Sequence, residues 1–98
     1  MGKIRTLLAD DHTMVRQGFR RILEAAADIE IVAEVGDGRS ALEAVARLGP
    51  DVAIIDISLP ELNGIEVTRQ ITKNTPATRV LILSIHADDA YIRHALHA

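Results

Sequence analysis

DVAIIDISLPELNG, residues Asp51 to Gly64, carries an apolar run into a carboxylate and then into a turn. Val52 to Ile55 reads as a strand buried on both faces, with Asp56 delivered at its end. Pro60, Asn63 and Gly64 then stop the strand and open a new element. A second run, Ile4 to Ala9 (IRTLLA), ends in the same way, in Asp10 and Asp11. If the two strands are parallel neighbours, three carboxylates crowd one spot. Like charges so close raise a pKa or recruit a cation, and oxygen-only acids suit a hard divalent ion such as Mg2+.

The remaining chain alternates the same two patterns. Thr13 to Ala26 has helical spacing in Met14, Val15, Gly18, Phe19, Ile22, Leu23 and Ala26, with Arg16, Arg20, Arg21 and Glu24 largely opposite. In this reading Gly18 permits close packing of the helix on the sheet. Ile29 to Val35 alternates apolar and wetter positions, which predicts a strand near an edge. Asp37 and Gly38 form a turn with an N-cap, and Ser40 to Leu48 is a helix closed by Gly49 and Pro50. The strand Asp51 to Ile57 follows, then a helix over Gly64 to Asn74. Arg79 to Leu83 (RVLIL) is an apolar strand ending at Ser84, and Asp88 caps a last helix running to about His97. Val52 to Ile55 and Val80 to Leu83 have no polar face, which predicts central strands.

Strands alternating with helices predict an α/β fold, a doubly wound parallel sheet with helices on both faces. Ligands bind such sheets beyond the carboxyl ends of the strands. Those ends carry Asp10 and Asp11, Asp56, and Ser84. The same place collects the chemistry and the topology.

Bulk composition excludes several classes. The 98 residues are 48% hydrophobic and 26% charged, which fits one globular domain and excludes a disordered tail. No apolar run approaches the roughly 20 residues of a membrane helix, and no signal peptide opens the chain, so a cytoplasmic location is expected. The net charge of −3, with no basic run and only Phe19 and Tyr91 as aromatics, excludes direct nucleic-acid binding by this segment. Without cysteine there are no disulfides or thiolate metal sites.

A carboxylate beside a divalent cation is able to attack a phosphoryl donor and form an acyl phosphate. In that chemistry Asp10 and Asp11 hold the metal, Asp56 attacks, and the Ser84 hydroxyl donates to the phosphoryl oxygens. The backbone carbonyl of Ser58, two residues past the nucleophile, is a further candidate metal ligand. Simpler roles exist for each residue alone: Asp11 as a helix cap, Ser84 as a strand-end hydroxyl, Tyr91 as a partly buried helix position. His12 is read as shaping the rim of the site. His94 and His97 lack a third ligand for zinc.

On the adjacent acids of LLADDH, the acid in IIDISLPELNG and the hydroxyl in LILSIHADD, the sequence resembles the receiver domain of two-component response regulators. The phrases LLADDHTMVRQGFRRIL and DIEIVAEVGDG resemble the NarL/FixJ group, whose receivers are joined to a LuxR-type helix-turn-helix output domain. The resemblance implies a flavodoxin-like, CheY-like (βα)5 fold with strand order 2-1-3-4 for the strands present. It implies phosphoryl transfer from a sensor histidine kinase onto Asp56, with Mg2+ on Asp10, Asp11, Asp56 and the Ser58 carbonyl and with Ser84 sensing the phosphoryl group.

It also implies a single receiver over residues 1–98, truncated before the fifth strand, its lysine and the fifth helix, with no second domain present. Lys3 and Lys73, the only lysines, stand at other places. Self-association promoted by the truncation is therefore expected, as is contact with DNA only through an absent output domain. The resemblance describes a signalling phosphoacceptor and not an enzyme acting on a free substrate. Two other readings of the same residues are a degenerate receiver working by protein contacts alone and a Mg2+-dependent phosphatase with an aspartyl nucleophile. Such phosphatases want a second acid two residues after the nucleophile, where this chain has Ser58.

Overall fold

The structure, a computed structural model, describes residues 2–83. The element order is β1 (Ile4–Ala9), α1 (Thr13–Glu24), β2 (Ile29–Val35), α2 (Gly38–Leu48), β3 (Val52–Asp56), α3 (Gly64–Asn74) and β4 (Arg79–Leu83). All pairings are parallel, and the strand order is β2-β1-β3-β4, as expected for a flavodoxin-like sheet. The last expected helix, from Asp88, and His86, Tyr91, His94 and His97 lie outside the described residues.

Register explains which side chain faces which layer. Glu34, Leu8, Ile54 and Leu81 are partners across the four strands and so share one face. Arg16 and Arg20 of α1 pair with Glu34, which identifies that face as the one α1 covers. The neighbouring rows, Ala33–Leu7–Ala53–Val80 and Val35–Ala9–Ile55–Ile82, face the other way. There Leu7, Ala9, Ala53 and Ile55 pack with Ala41, Ala44 and Val45 of α2 and Val67 and Ile71 of α3. Small residues on α2 let it sit close, while Leu7, Ile55 and Ile71, almost wholly buried, each contribute about 1.5–3 kcal/mol of burial.

Several expectations need correction. On β2 the register steps two residues, Ile31 to Ala33, while β1 steps one, Thr6 to Leu7. This bulge leaves Val32 without a partner and interrupts the alternation read along the strand. Gly18 does not pack on the sheet, because a Cβ built there meets nothing within 4 Å. Helix α1 is turned so that Arg16, Phe19 and Leu23 lie inward, drawn by the pairing of Arg16 and Arg20 with Glu34, while Met14 and Ile22 stay 86% and 69% exposed. The strand β4, read as central from its apolar run alone, pairs only with β3 among the described strands, as the order 2-1-3-4 places it, and leaves Leu81 53% exposed.

Boundary differences have local causes. Helix α1 stops at Glu24, two residues short of Ala26, because the Ala26 N–H bonds the carbonyl of Leu23 in a tightened last turn. Helix α2 starts at Gly38, two residues before Ser40, because Asp37 caps it by accepting from the Ser40 N–H at 2.8 Å. Strand β3 is one residue shorter at each end, although Asp51 and Ile57 still bond to Arg5 and Leu83.

Candidate functional site

Strand β1 delivers Asp10 and strand β3 delivers Asp56 to the same edge of the sheet, the carboxyl ends of two adjacent parallel strands. Both residues are buried, 2% and 1% exposed, whereas the neighbouring Asp11 reaches solvent. One oxygen from each of Asp10, Asp11 and Asp56 lies within 4.8 Å of the others and of a ring nitrogen of His12. The three carboxylates expected to meet do meet.

Hydrogen bonds hold Asp10 and Asp56 in place. The Asp10 N–H bonds the Val35 carbonyl at 3.0 Å, and the Asp10 carbonyl accepts from Arg16 Nη1 at 2.8 Å. The same Arg16 nitrogen reaches the Val35 carbonyl at 3.3 Å, so one guanidinium ties the ends of β1 and β2 together. Asp56 Oδ1 accepts from the Ser58 N–H at 3.2 Å, and the Ser58 hydroxyl lies 3.2 and 3.3 Å from the two carboxylate oxygens.

The loop after Asp56 is fixed by two close approaches. A Cβ at Gly64 would come within 2.4 Å of the Asp56 carbonyl oxygen, and one at Gly38 within 2.0 Å of the Leu62 carbonyl oxygen. Between them the Leu62 N–H bonds the Pro60 carbonyl at 2.8 Å across Glu61, whose φ of 71° makes this a γ-turn. Leu59 anchors the loop in the core, and Asn63 caps α3 by accepting from the Glu66 N–H at 3.0 Å.

Electrostatics follow from this crowding. Burial pushes the Asp56 carboxyl above the ordinary carboxylate range, and the charge of Asp10 adds to it. The hydrogen bonds from Ser58 and the charge of His12 oppose that rise. His12 Nδ1 lies 3.0 Å from Asp10 Oδ1, 3.1 Å from Asp11 Oδ1 and 3.5 Å from Asp56 Oδ2. Its hydrogen bond to Asp10 raises the imidazole pKa, partial burial opposes this, and the charges of Asp11, Asp10 and Asp56 add to it.

Sequence reasoning placed His12 at the rim, but its ring stands among the carboxylates. It also passed over Arg16, which was assigned to the solvent side of α1. A signal existed for both: His12 is the N-cap of α1, directly after the acidic pair, and Arg16 follows one turn later. Asp11, for which a capping role was available, is not the cap. Ser84 lies outside the described residues. Ser58 is brought beside Asp56 through its N–H and hydroxyl. Three carboxylate donors, two buried and one at the solvent side, match the oxygen preference of a hard divalent cation.

A family model for the response regulator receiver domain matches residues 6–98. The chain belongs to this family. DegU of Brevibacillus brevis, a transcriptional regulatory protein, is 43% identical over 94 residues, 96% of this chain and 40% of that protein. The transcriptional regulatory protein LiaR of Bacillus subtilis is 37% identical, over 97% of this chain and 45% of that protein. The receiver therefore spans less than half the length of the curated relatives it matches. Its backbone superposes on the receiver domain of NarL from Mycobacterium tuberculosis with a TM-score of 0.92 at 34% identity, covering 99% of this chain and 78% of that one. No helix among the described residues is long and apolar enough to cross a membrane.

Proposed function

We propose that residues 1–98 form the phosphoacceptor module of a LuxR-type response regulator, in which Asp56 takes a phosphoryl group from a sensor histidine kinase. Asp10, Asp11, Asp56 and the backbone carbonyl of Ser58 hold a divalent cation, Mg2+, beside it. The observation that carries this reading is the meeting of three carboxylates from two strands, each with an oxygen within 3.5 Å of one ring nitrogen. When bound, the cation supplies positive charge that offsets the roughly −1.5 to −2 charge of the incoming phosphoryl group.

The chain's own residues do the rest. Asp56 forms the new P–O bond as the P–N bond of the kinase phosphohistidine breaks, and the departing imidazole takes up a proton. The Ser58 N–H and hydroxyl fix the carboxylate's orientation for attack. Ser84 donates its hydroxyl to the phosphoryl group after transfer, which biases an existing equilibrium between two surfaces. Turnover of free substrate is no part of this role, which involves at most self-catalysed phosphorylation and dephosphorylation. The module acts in the cytoplasm, self-associates, and reaches DNA only through a helix-turn-helix output domain outside these residues.

Incubation with a small phosphodonor and Mg2+, followed by intact mass, tests the reading. A single Mg2+-dependent phosphoryl adduct that is absent from Asp56→Asn is expected. Phosphate release without adduct would favour the phosphatase, and neither adduct nor release would favour a degenerate receiver.

A further inference from the structure

His12 is the one nitrogen donor of the cluster among the described residues, and its position is specific. Nδ1 faces one oxygen of each acid at 3.0, 3.1 and 3.5 Å. Two adjacent ligands on an octahedral ion with bonds of about 2.1 Å stand about 3.0 Å apart, and opposite ones about 4.2 Å. The contacts to Asp10 and Asp11 match adjacent ligands and the one to Asp56 falls between the two values, while all four donor atoms lie within 4.8 Å of one another, slightly wider than an octahedral shell. The ring reaches this place through the backbone: the His12 N–H donates to Asp10 Oδ1 at 2.8 Å, and His12 opens helix α1 as its N-cap.

We propose that His12 is a further protein donor, the one nitrogen, to the cation held by Asp10, Asp11, Asp56 and the Ser58 carbonyl, so that the site takes a borderline first-row dication such as Ni2+ or Co2+ more tightly than oxygen donors alone would. The inference rests on the carboxylates forming a cation site and adds a ligand and a selectivity to it. Imidazole suits Ni, Cu, Zn and Fe, whereas carboxylate and water suit Mg, Ca and Mn. Adding one nitrogen donor therefore raises affinity for the first group far more than for Mg2+.

The test compares the protein with His12→Ala and with His12→Asn, which keeps a good helix N-cap. Calorimetric titration with Ni2+ and with Mg2+ in one mildly alkaline buffer gives the ratio of affinities. Proton NMR of the Co2+-loaded proteins reports imidazole coordination directly. His86, His94 and His97 are common to all three proteins and cancel in the comparison.

Both variants are expected to lose about ten-fold or more of the Ni2+ to Mg2+ preference, no less than the loss of a group merely supporting a ligand brings. A hyperfine-shifted imidazole signal present in the parent should vanish from both. An unchanged ratio and spectrum would overturn the proposal, as would a loss in His12→Ala that His12→Asn does not share, since that marks a cap effect. Mg2+ binding to none of the proteins would overturn the carboxylate site itself, a failure distinct from Mg2+ binding in which His12 takes no part.

Discussion

Asp56 sits 1% exposed beside Asp10, and burial raises its carboxyl pKa. A folded-state pKa above the unfolded value means the folded protein holds the proton more tightly. Asp56 therefore favours the folded state below the ordinary carboxylate pKa, and that contribution is lost as pH rises through the raised folded value. In the absence of divalent cation, Asp56→Asn removes this slope. It should raise the melting temperature near neutral pH. Thermal melts of both proteins with EDTA across the acidic range check this, and a neutral-pH melting temperature that falls in the variant would contradict it. The acids themselves were legible in the sequence because each ends an apolar run. His12 was legible only as a rim residue, because a histidine after two acids carries no period that says which way its ring turns.

At the scale of the element, two glycines separate packing from propensity. Gly18 lies in α1 with open space around it, so Gly18→Ala should stabilise the protein by about 0.5–1 kcal/mol through helix propensity alone. Gly38 opens α2 against the Leu62 carbonyl, and Gly38→Ala should cost about 1–3 kcal/mol by overpacking. Urea denaturation of the two variants decides this, and equal effects would contradict the packing described.

The sequence reading reversed the role of Gly18 because apolar spacing alone set the rotation of α1. The pairing of Arg16 and Arg20 with Glu34 sets it instead, and that contact joins residues 14 to 18 positions apart. Elements whose identity rests on local pattern, β1, β2, α3 and β4, kept the boundaries read from sequence. The bulge at Val32 and the start of α2 did not, since each depends on a partner strand or a capping contact.

Across the whole molecule, the parallel α/β class was readable because strands and helices alternate, while the strand order followed from the family resemblance. RVLIL by itself reads as an interior strand, and the order 2-1-3-4 implied by the resemblance is what places β4 at an edge of the described strands. Leu81, 53% exposed at that edge, lies on the face that α1 covers. An apolar side chain on an unpaired strand edge favours association with another copy. Leu81→Lys should shift the sedimentation profile towards monomer at equal concentration, and an unchanged profile would place any self-association elsewhere.

The most direct test of the shared cation site is amide NMR during titration with Mn2+, a paramagnetic substitute for Mg2+ that broadens signals near it. Residues 10–12 and 56–58, far apart in sequence and brought together by the β1–β3 pairing, should broaden together at the lowest Mn2+ concentrations. Broadening confined to one of the two segments, or spread over Glu30, Glu43 and other surface acids, would contradict a common site.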